Sequence, residues 1–226
     1  MARTRKRGEI GVAVDLVIFT VQHGQLELLL TRMKRPPFEG RWSLPGGRIP
    51  IDETVEEAAE RELAEKTGLP AMFLEQLYTF SALDRDPSGR CVTVAHMALI
   101  PPTSDLRTTD KYSAIGWFPV DKLPPLAFDH RAIAAYAVKR LRAKLEYSNV
   151  AHNLLPQQFT LGELQRAYEA ILGRPQDTRN FRKRILALGL VEDTGGMRTG
   201  GAHRPARLYR FAGRRPAPAS RKAPGA

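Results

Sequence analysis

One cysteine, Cys91, is present in 226 residues, so the chain can form neither an intramolecular disulfide nor a thiolate metal cluster. That lone thiol, in an apolar and β-branched stretch, reads as a small buried hydrophobe in a strand. Long apolar runs are missing as well, since no segment approaches the roughly 20 apolar residues of a membrane span. The start MARTRKRGEIGVAVDLVIFTV resembles a secretion signal only superficially: Asp15 interrupts the apolar run, and no small-residue cleavage site follows. A cytoplasmic protein without membrane contact is expected. Acidic residues are scarce, 24 Asp and Glu against 35 Lys and Arg, and the resulting formal net charge of +11 points to a polyanionic partner.

What is present suffices for two modest domains. Hydrophobic residues at 42% and charged residues at 26% are ordinary for a folded chain, which excludes disorder as a description of most of it. The positive excess is unevenly placed. Residues 156–226 carry 14 Lys and Arg against 5 Asp and Glu, a net of +9, which leaves +2 for residues 1–155.

Pattern and punctuation divide the chain. A basic arm spans residues 1–9, and strands at 10–21 and 25–32 meet across QHG. A third short strand is expected to end at WSLPGG. Thr54 with Glu57 three residues later forms a capping-box pattern, and Gly68 with Pro70 beyond it stops the helix of about 54–66, whose buried face is Val55, Ala58, Ala59 and Leu63. Strands are expected at 73–83 and 91–101 around DRDPSG, followed by a long helix at about 129–147. This mixture predicts an α/β sandwich over residues 10–150.

NVAHNLLPQQ reads as a linker into a second unit at 158–212. It opens with another capping box, Thr160 and Glu163, and a possible staple between Phe159 and Leu164. Leu161, Leu164, Tyr168, Ile171 and Leu172 recur at helical spacing. A second helix runs from Asp177 or Thr178 to Leu188, and short strands at about 190–194 and 207–211 flank the basic loop GGMRTGGAHRPA. Helix, turn, helix and hairpin is the order of a winged helix-turn-helix. The tail 213–226, rich in Arg, Pro and Ala, is expected to be disordered.

Within EGRWSLPGGRIPIDETVEEAAERELAEKTGL, Gly47 is followed at fixed intervals by Glu53, by Arg61-Glu62-Leu63, and by Glu65, Lys66, Gly68 and Leu69. This resembles the Nudix box at every fixed position except Lys66, where a glutamate is expected. The likeness extends over about residues 10–145. Glu65 and position 66 lie three and four residues beyond Glu62, on one helical face where carboxylates can converge on hard cations. In active members of that family the glutamates hold Mg²⁺ against a diphosphate. A lysine turns −1 into +1 there, and each unit-charge pair is worth about 4 kcal/mol at roughly 4 Å and an effective dielectric of about 20.

No catalytic residue and no required cofactor is therefore expected. A metal, if any, would fall to Glu62 and Glu65, with Mg²⁺ relevant only to residual hydrolysis. Lys66 can pair with Glu62 instead, leaving a pocket that accepts a diphosphate ligand. Arg32, Arg35 and Arg48 could meet phosphates, and Trp42 or Phe38 could stack on a base, beside Glu62 and Lys66.

Residues 159–211 resemble the winged DNA-binding domain of the Nudix-related regulators of NAD metabolism, the NrtR family. The resemblance rests on FTLGELQRAYEAILGRPQDTRNFRKRILALGLVEDTG and GGAHRPARLYRF. Apart from that likeness, Thr178, Arg179, Asn180, Arg182 and Lys183 give the second helix the polar and cationic first turns that base edges and phosphates require. His203 and Arg204 suit a narrow minor groove. The resemblance implies a dimeric repressor of NAD synthesis or salvage genes on a palindromic double-stranded operator, with ADP-ribose as the releasing effector. Two rivals use the same residues: an active ADP-ribose pyrophosphatase with an appended domain, and an RNA-binding or protein-docking module.

Overall fold

The computed structural model describes residues 9–68, 74–103, 105–145, 148, 150–199 and 205–212. β1 (Gly11–Gln22) and β2 (Gln25–Met33) form a hairpin. In its two-residue turn His23 and Gly24 both take positive φ, 52° and 73°, which matches the strand twist. β3 (Trp42–Ser43) pairs with β2, whereas β4 (Gly46–Arg48) pairs with β1, so the expected third strand is two short ones separated by a turn. β5 (Leu74–Phe80), β6 (Cys91–Leu99) and β7 (Tyr112–Pro119) complete a mixed sheet in the order β3-β2-β1-β6-β5, with β7 on β2. Among the described strand pairs β1 and β6 alone run parallel, and Cys91 is buried where β6 begins.

β1 is buried on both faces, and its alternation assigns each face a helix. Val14, Leu16 and Ile18 meet Ala58, Ala59 and Leu63 of α1 (Val55–Thr67). The Thr54–Glu57 capping box is formed at the start of α1, and Gly68 ends it in the left-handed conformation. Val17 and Phe19, on the other face, join Ile133, Ala134, Ala137 and Leu141 of α2 (His130–Lys144). The result is a three-layer α/β/α sandwich.

The stretch expected as a linker is packed. Residues 150–154 form one 3₁₀ turn, and Val150, Ala151 and Leu154 are buried in the same apolar cluster as the α2 face of the sheet. That cluster continues into α3 (Leu161–Leu172) and α4 (Thr178–Ala187) through Phe159, Leu164, Tyr168, Ile171, Phe181 and Ile185. Truncating one of these to alanine, Ile185 for example, costs about 2–5 kcal/mol. β8 (Val191–Arg198) and β9 (Ala206–Phe211) form the wing hairpin, and Phe159 exchanges both backbone hydrogen bonds with Tyr209, at 3.0 and 2.7 Å. β8 extends into the loop expected between the wing strands, through a register shift between Asp193 and Met197. Among the described residues no helix is long and apolar enough to cross a membrane.

Candidate effector cleft and nucleic-acid interface

The turn between β3 and β4 brings backbone against backbone. Gly46 takes φ +153°, and a Cβ there would lie 2.2 Å from the Val14 carbonyl, so only glycine fits. The close approach opens a cleft lined by Gly46, Gly47, Arg48, Lys111, Tyr112 and the edge residues Asp15 and His130. Tyr112 Oη and Lys111 Nζ both donate to the Gly46 carbonyl, the first at 2.9 Å.

Behind the cleft, α1 presents an alternating ladder of charges. Arg61 takes both oxygens of Glu53, at 2.7 and 2.9 Å, and reaches Glu65 Oε1 at 3.4 Å and Glu62 Oε1 at 3.5 Å. Its guanidinium holds the Glu53 carboxyl below the usual carboxylate range. Lys66 is only 1% exposed. Its Nζ donates to Glu65 Oε2 at 3.2 Å and lies 3.4 Å from Glu62 Oε2 without hydrogen-bond alignment, so that buried oxygen has an ionic neighbour and no donor among the described residues. Two ammonium groups approach the Tyr112 ring, Lys66 at 5.3 Å and Lys111 at 5.2 Å from its centroid. Burial, with the neighbouring Glu62 charge, pushes the Tyr112 phenol well up, so it donates and does not ionise.

The opposite wall is a buried network that sequence reasoning missed. Arg85 donates to Asp15 at 3.0 Å and to both oxygens of Asp129, at 2.9 and 3.1 Å. The Leu44 amide donates to His130 Nδ1 at 2.8 Å, which leaves the Nε2 proton directed at Asp15 Oδ1, 3.4 Å away. Burial alone would raise the Asp15 carboxyl, but His130 and Arg85 outweigh it and hold it at about 2. The available signal was Asp15 itself, a carboxylate inside an apolar strand.

The expected effector residues fall in different places. Arg48 lines the cleft, and Arg35 lines a neighbouring hollow with Lys111. Glu62 approaches the cleft floor, with its Oε1 3.4 Å from where a Gly47 Cβ would be, whereas Lys66 is buried beneath. Arg32 donates to the Gly40 carbonyl at 2.9 Å, bracing the β2–β3 turn. Trp42 packs edge-on against Phe118 at 4.6 Å, on the α2 side of the sheet, and Phe38 packs on Phe128 at 4.5 Å.

In the C-terminal unit, Asp177 caps α4 by accepting from the Asn180 amide at 2.8 Å. Phe181 and Ile185 point inward, and Arg179, Asn180, Arg182 and Lys183 are exposed. Thr178, also exposed, accepts from Gln165 Nε2 at 3.2 Å, so it helps fix the angle between α3 and α4. Each described wing arginine is matched by an acid: Arg198 by Glu163, Arg207 by Asp193, and Arg210 by Glu192. No carboxylate among the described residues pairs with Arg179, Arg182 or Lys183, so α4 offers the unspent positive charge. His203 and Arg204, the basic arm to residue 8 and the tail 213–226 lie outside the described residues.

The architecture has known relatives. The NUDIX domain family matches residues 9–141, and the NrtR DNA-binding winged helix domain family matches residues 151–211. Over 205 residues the chain is 38% identical to the ADPR responsive transcriptional repressor NtrR of Acinetobacter baylyi, covering 89% of this chain and 82% of that protein. Shewanella oneidensis NrtR, solved in complex with a 27mer DNA, is similar with a TM-score of 0.75 and 38% identity, over 88% of this chain and 93% of that one. The NUDIX domain of the same protein, solved with ADP ribose, is similar with a TM-score of 0.56 and 37% identity, over 60% and 90% of the two chains. A NUDIX domain and an NrtR winged helix thus share one chain, with a repressor of that build matched along nearly its whole length, and the chain belongs to the NrtR family of Nudix-related regulators.

Proposed function

We propose that the protein is a DNA-binding transcriptional repressor of NAD synthesis or salvage genes, whose Nudix-type domain binds ADP-ribose as the effector that releases DNA. The observation that carries this reading is the unpaired cationic face of α4, on a winged helix whose core is continuous with the sandwich that holds the cleft. A relative of the same build is described as ADPR responsive, and the NUDIX domain of another has been solved with ADP ribose. The repressor acts as a homodimer on a palindromic double-stranded operator, because a single recognition helix reads too few base pairs for a specific site. Arg179, Asn180 and Arg182 meet base edges or phosphates, and Lys183 meets phosphate.

In this reading the Nudix-type domain binds its ligand without hydrolysing it. The Nudix fold implies a divalent ion on the α1 glutamates, and the residues present do not fit one. The Lys66 ammonium, standing where the box has a glutamate, lies 3.2 Å from Glu65 and 3.4 Å from Glu62. A divalent cation would meet a fixed positive charge there in place of a carboxylate. The test is selection of bound genomic fragments with and without ADP-ribose. Enrichment of a palindromic sequence upstream of NAD genes, lost when ADP-ribose is added, is the expected result. No enrichment, or enrichment indifferent to ADP-ribose, would contradict it.

A further inference from the structure

The cationic groups on or near the candidate cleft, among the described residues, divide into two kinds. Arg61, Lys66 and Arg85 are neutralised by Glu53, Glu62, Glu65, Asp15 and Asp129. Arg35, Arg48 and Lys111 are exposed, and no carboxylate among the described residues pairs with them. Lys111 and Arg48 line the cleft itself, together with Gly46 and Gly47. Lys111 Nζ lies 2.8 Å from where a Gly47 Cβ would be, and the Arg48 guanidinium carbon lies 3.1 Å from where a Gly11 Cβ would be, so missing side chains give both cations their room. Asp86, also on the cleft wall, spends one oxygen on the Ser88 amide at 2.8 Å.

We propose that Lys111 and Arg48 form a metal-free seat for the effector's diphosphate, and that the cation departing from the Nudix box, Lys66, does not touch the ligand. The inference rests on the reading of this cleft as an effector site and names the residues that recognise the charged part of the effector. A guanidinium grips a phosphate through paired N–H donors, while an ammonium acts as a point charge. Lys111 is tethered for the task, because its hydrogen bond to the Gly46 carbonyl and its place over the Tyr112 ring hold it at the cleft floor. Tyr112 Oη also donates to that carbonyl, so Lys111 can turn to an incoming anion without leaving the acceptor bare. Two unspent positive charges suit a diphosphate. In this arrangement Lys66 neutralises the α1 carboxylates from beneath, so the negative face of the helix does not repel the ligand.

The experiment is titration calorimetry in excess chelator, with inorganic pyrophosphate and ADP-ribose as separate probes, on wild type and on Lys111→Met, Arg48→Gln and Lys111→Arg. Lys139→Gln, on the outer face of α2, controls for the loss of one charge. The expected result is binding of both probes by wild type without divalent metal, at least about tenfold weaker binding of both in Lys111→Met and Arg48→Gln, partial recovery in Lys111→Arg, and no change in Lys139→Gln. Lack of pyrophosphate binding by wild type, or equal binding by wild type and the Lys111 and Arg48 variants, would overturn the seat even if ADP-ribose released DNA. Pyrophosphate binding that depends on Lys111, together with an operator complex indifferent to ADP-ribose, would support the seat and overturn the choice of effector.

Discussion

Arg142 Nε, near the end of α2, donates to the Ile171 carbonyl of α3 at 2.8 Å. The other end of α2 lies in the cleft, where Asp129 holds Arg85 and His130 accepts from the Leu44 amide. One helix of 15 residues therefore touches both the candidate effector site and the DNA-binding unit. A ligand that shifts the Asp15–Arg85–Asp129 network moves the start of a rod whose far end holds α3. The packed 3₁₀ turn at 150–154 leaves little slack between them.

Arg142→Ala is expected to weaken the coupling more than the binding. Operator affinity without ADP-ribose and ADP-ribose affinity without DNA should both stay close to wild type. The release of operator by ADP-ribose should fall by roughly 1 kcal/mol of coupling or more, about fivefold. Operator titrations followed by fluorescence anisotropy, with and without ADP-ribose, measure this, and undiminished release in the variant would remove Arg142 from the coupling path.

Lys66→Met strands the Glu62 carboxylate in a buried place and is expected to cost about 3–5 kcal/mol of stability. Lys66→Glu places a third carboxylate beside Glu62 and Glu65. Its melting temperature should rise with millimolar Mg²⁺, whereas that of wild type should not move. Thermal unfolding with and without Mg²⁺ measures both, and stabilisation of wild type by the metal would contradict the role given to Lys66.

Asp15 predicts an acid-sensitive fold. Its carboxyl sits at about 2 when folded, against 3.8 for the free group, so the stabilisation it brings is fully present above about pH 5 and is lost as pH falls through 4 towards 2. The loss amounts to roughly 2–3 kcal/mol. Denaturant unfolding between pH 5 and 2.5 should show a shallower dependence on pH for Asp15→Asn than for wild type, and equal slopes would show that the network does not hold Asp15 ionised.

Local signals were readable in the sequence, and the long-range ones were not. Both capping boxes, Thr54 with Glu57 and Thr160 with Glu163, form as read because their partners are three residues apart. The spacing that puts Glu62, Glu65 and Lys66 on one face of α1 is also local. Nothing local shows that Lys66 is buried, since that depends on β7 and Tyr112 closing over it, and β7 was not expected as a strand. The Asp15–Arg85–Asp129–His130 wall joins positions up to 115 residues apart, which only the folded sheet brings together. NVAHNLLPQQ reads as a linker from its Asn, His, Pro and Gln, whereas its Val150, Ala151 and Leu154 are buried in the apolar cluster shared by the two units.

Two kinds of DNA contact are expected of the outer face of α4. Arg179→Ala is expected to weaken a specific operator by about 1–3 kcal/mol while sparing random DNA, and Lys183→Ala to weaken both alike and lower the salt slope by about one. Binding of wild type and both variants to operator and random DNA, at several salt concentrations, checks this. No effect from either substitution would count against α4 as the recognition helix.

Effector and operator are expected to compete through the protein's conformation. A ligand with equal affinity for two states shifts nothing, so an effector that releases DNA must itself be weakened by DNA, by the same factor. The most direct measurement is titration of ADP-ribose into free protein and into protein saturated with operator, at one fixed salt concentration because DNA affinity depends steeply on salt. ADP-ribose affinity is expected to be about 5 to 150-fold weaker in the operator complex. Identical affinities in the two titrations would contradict it.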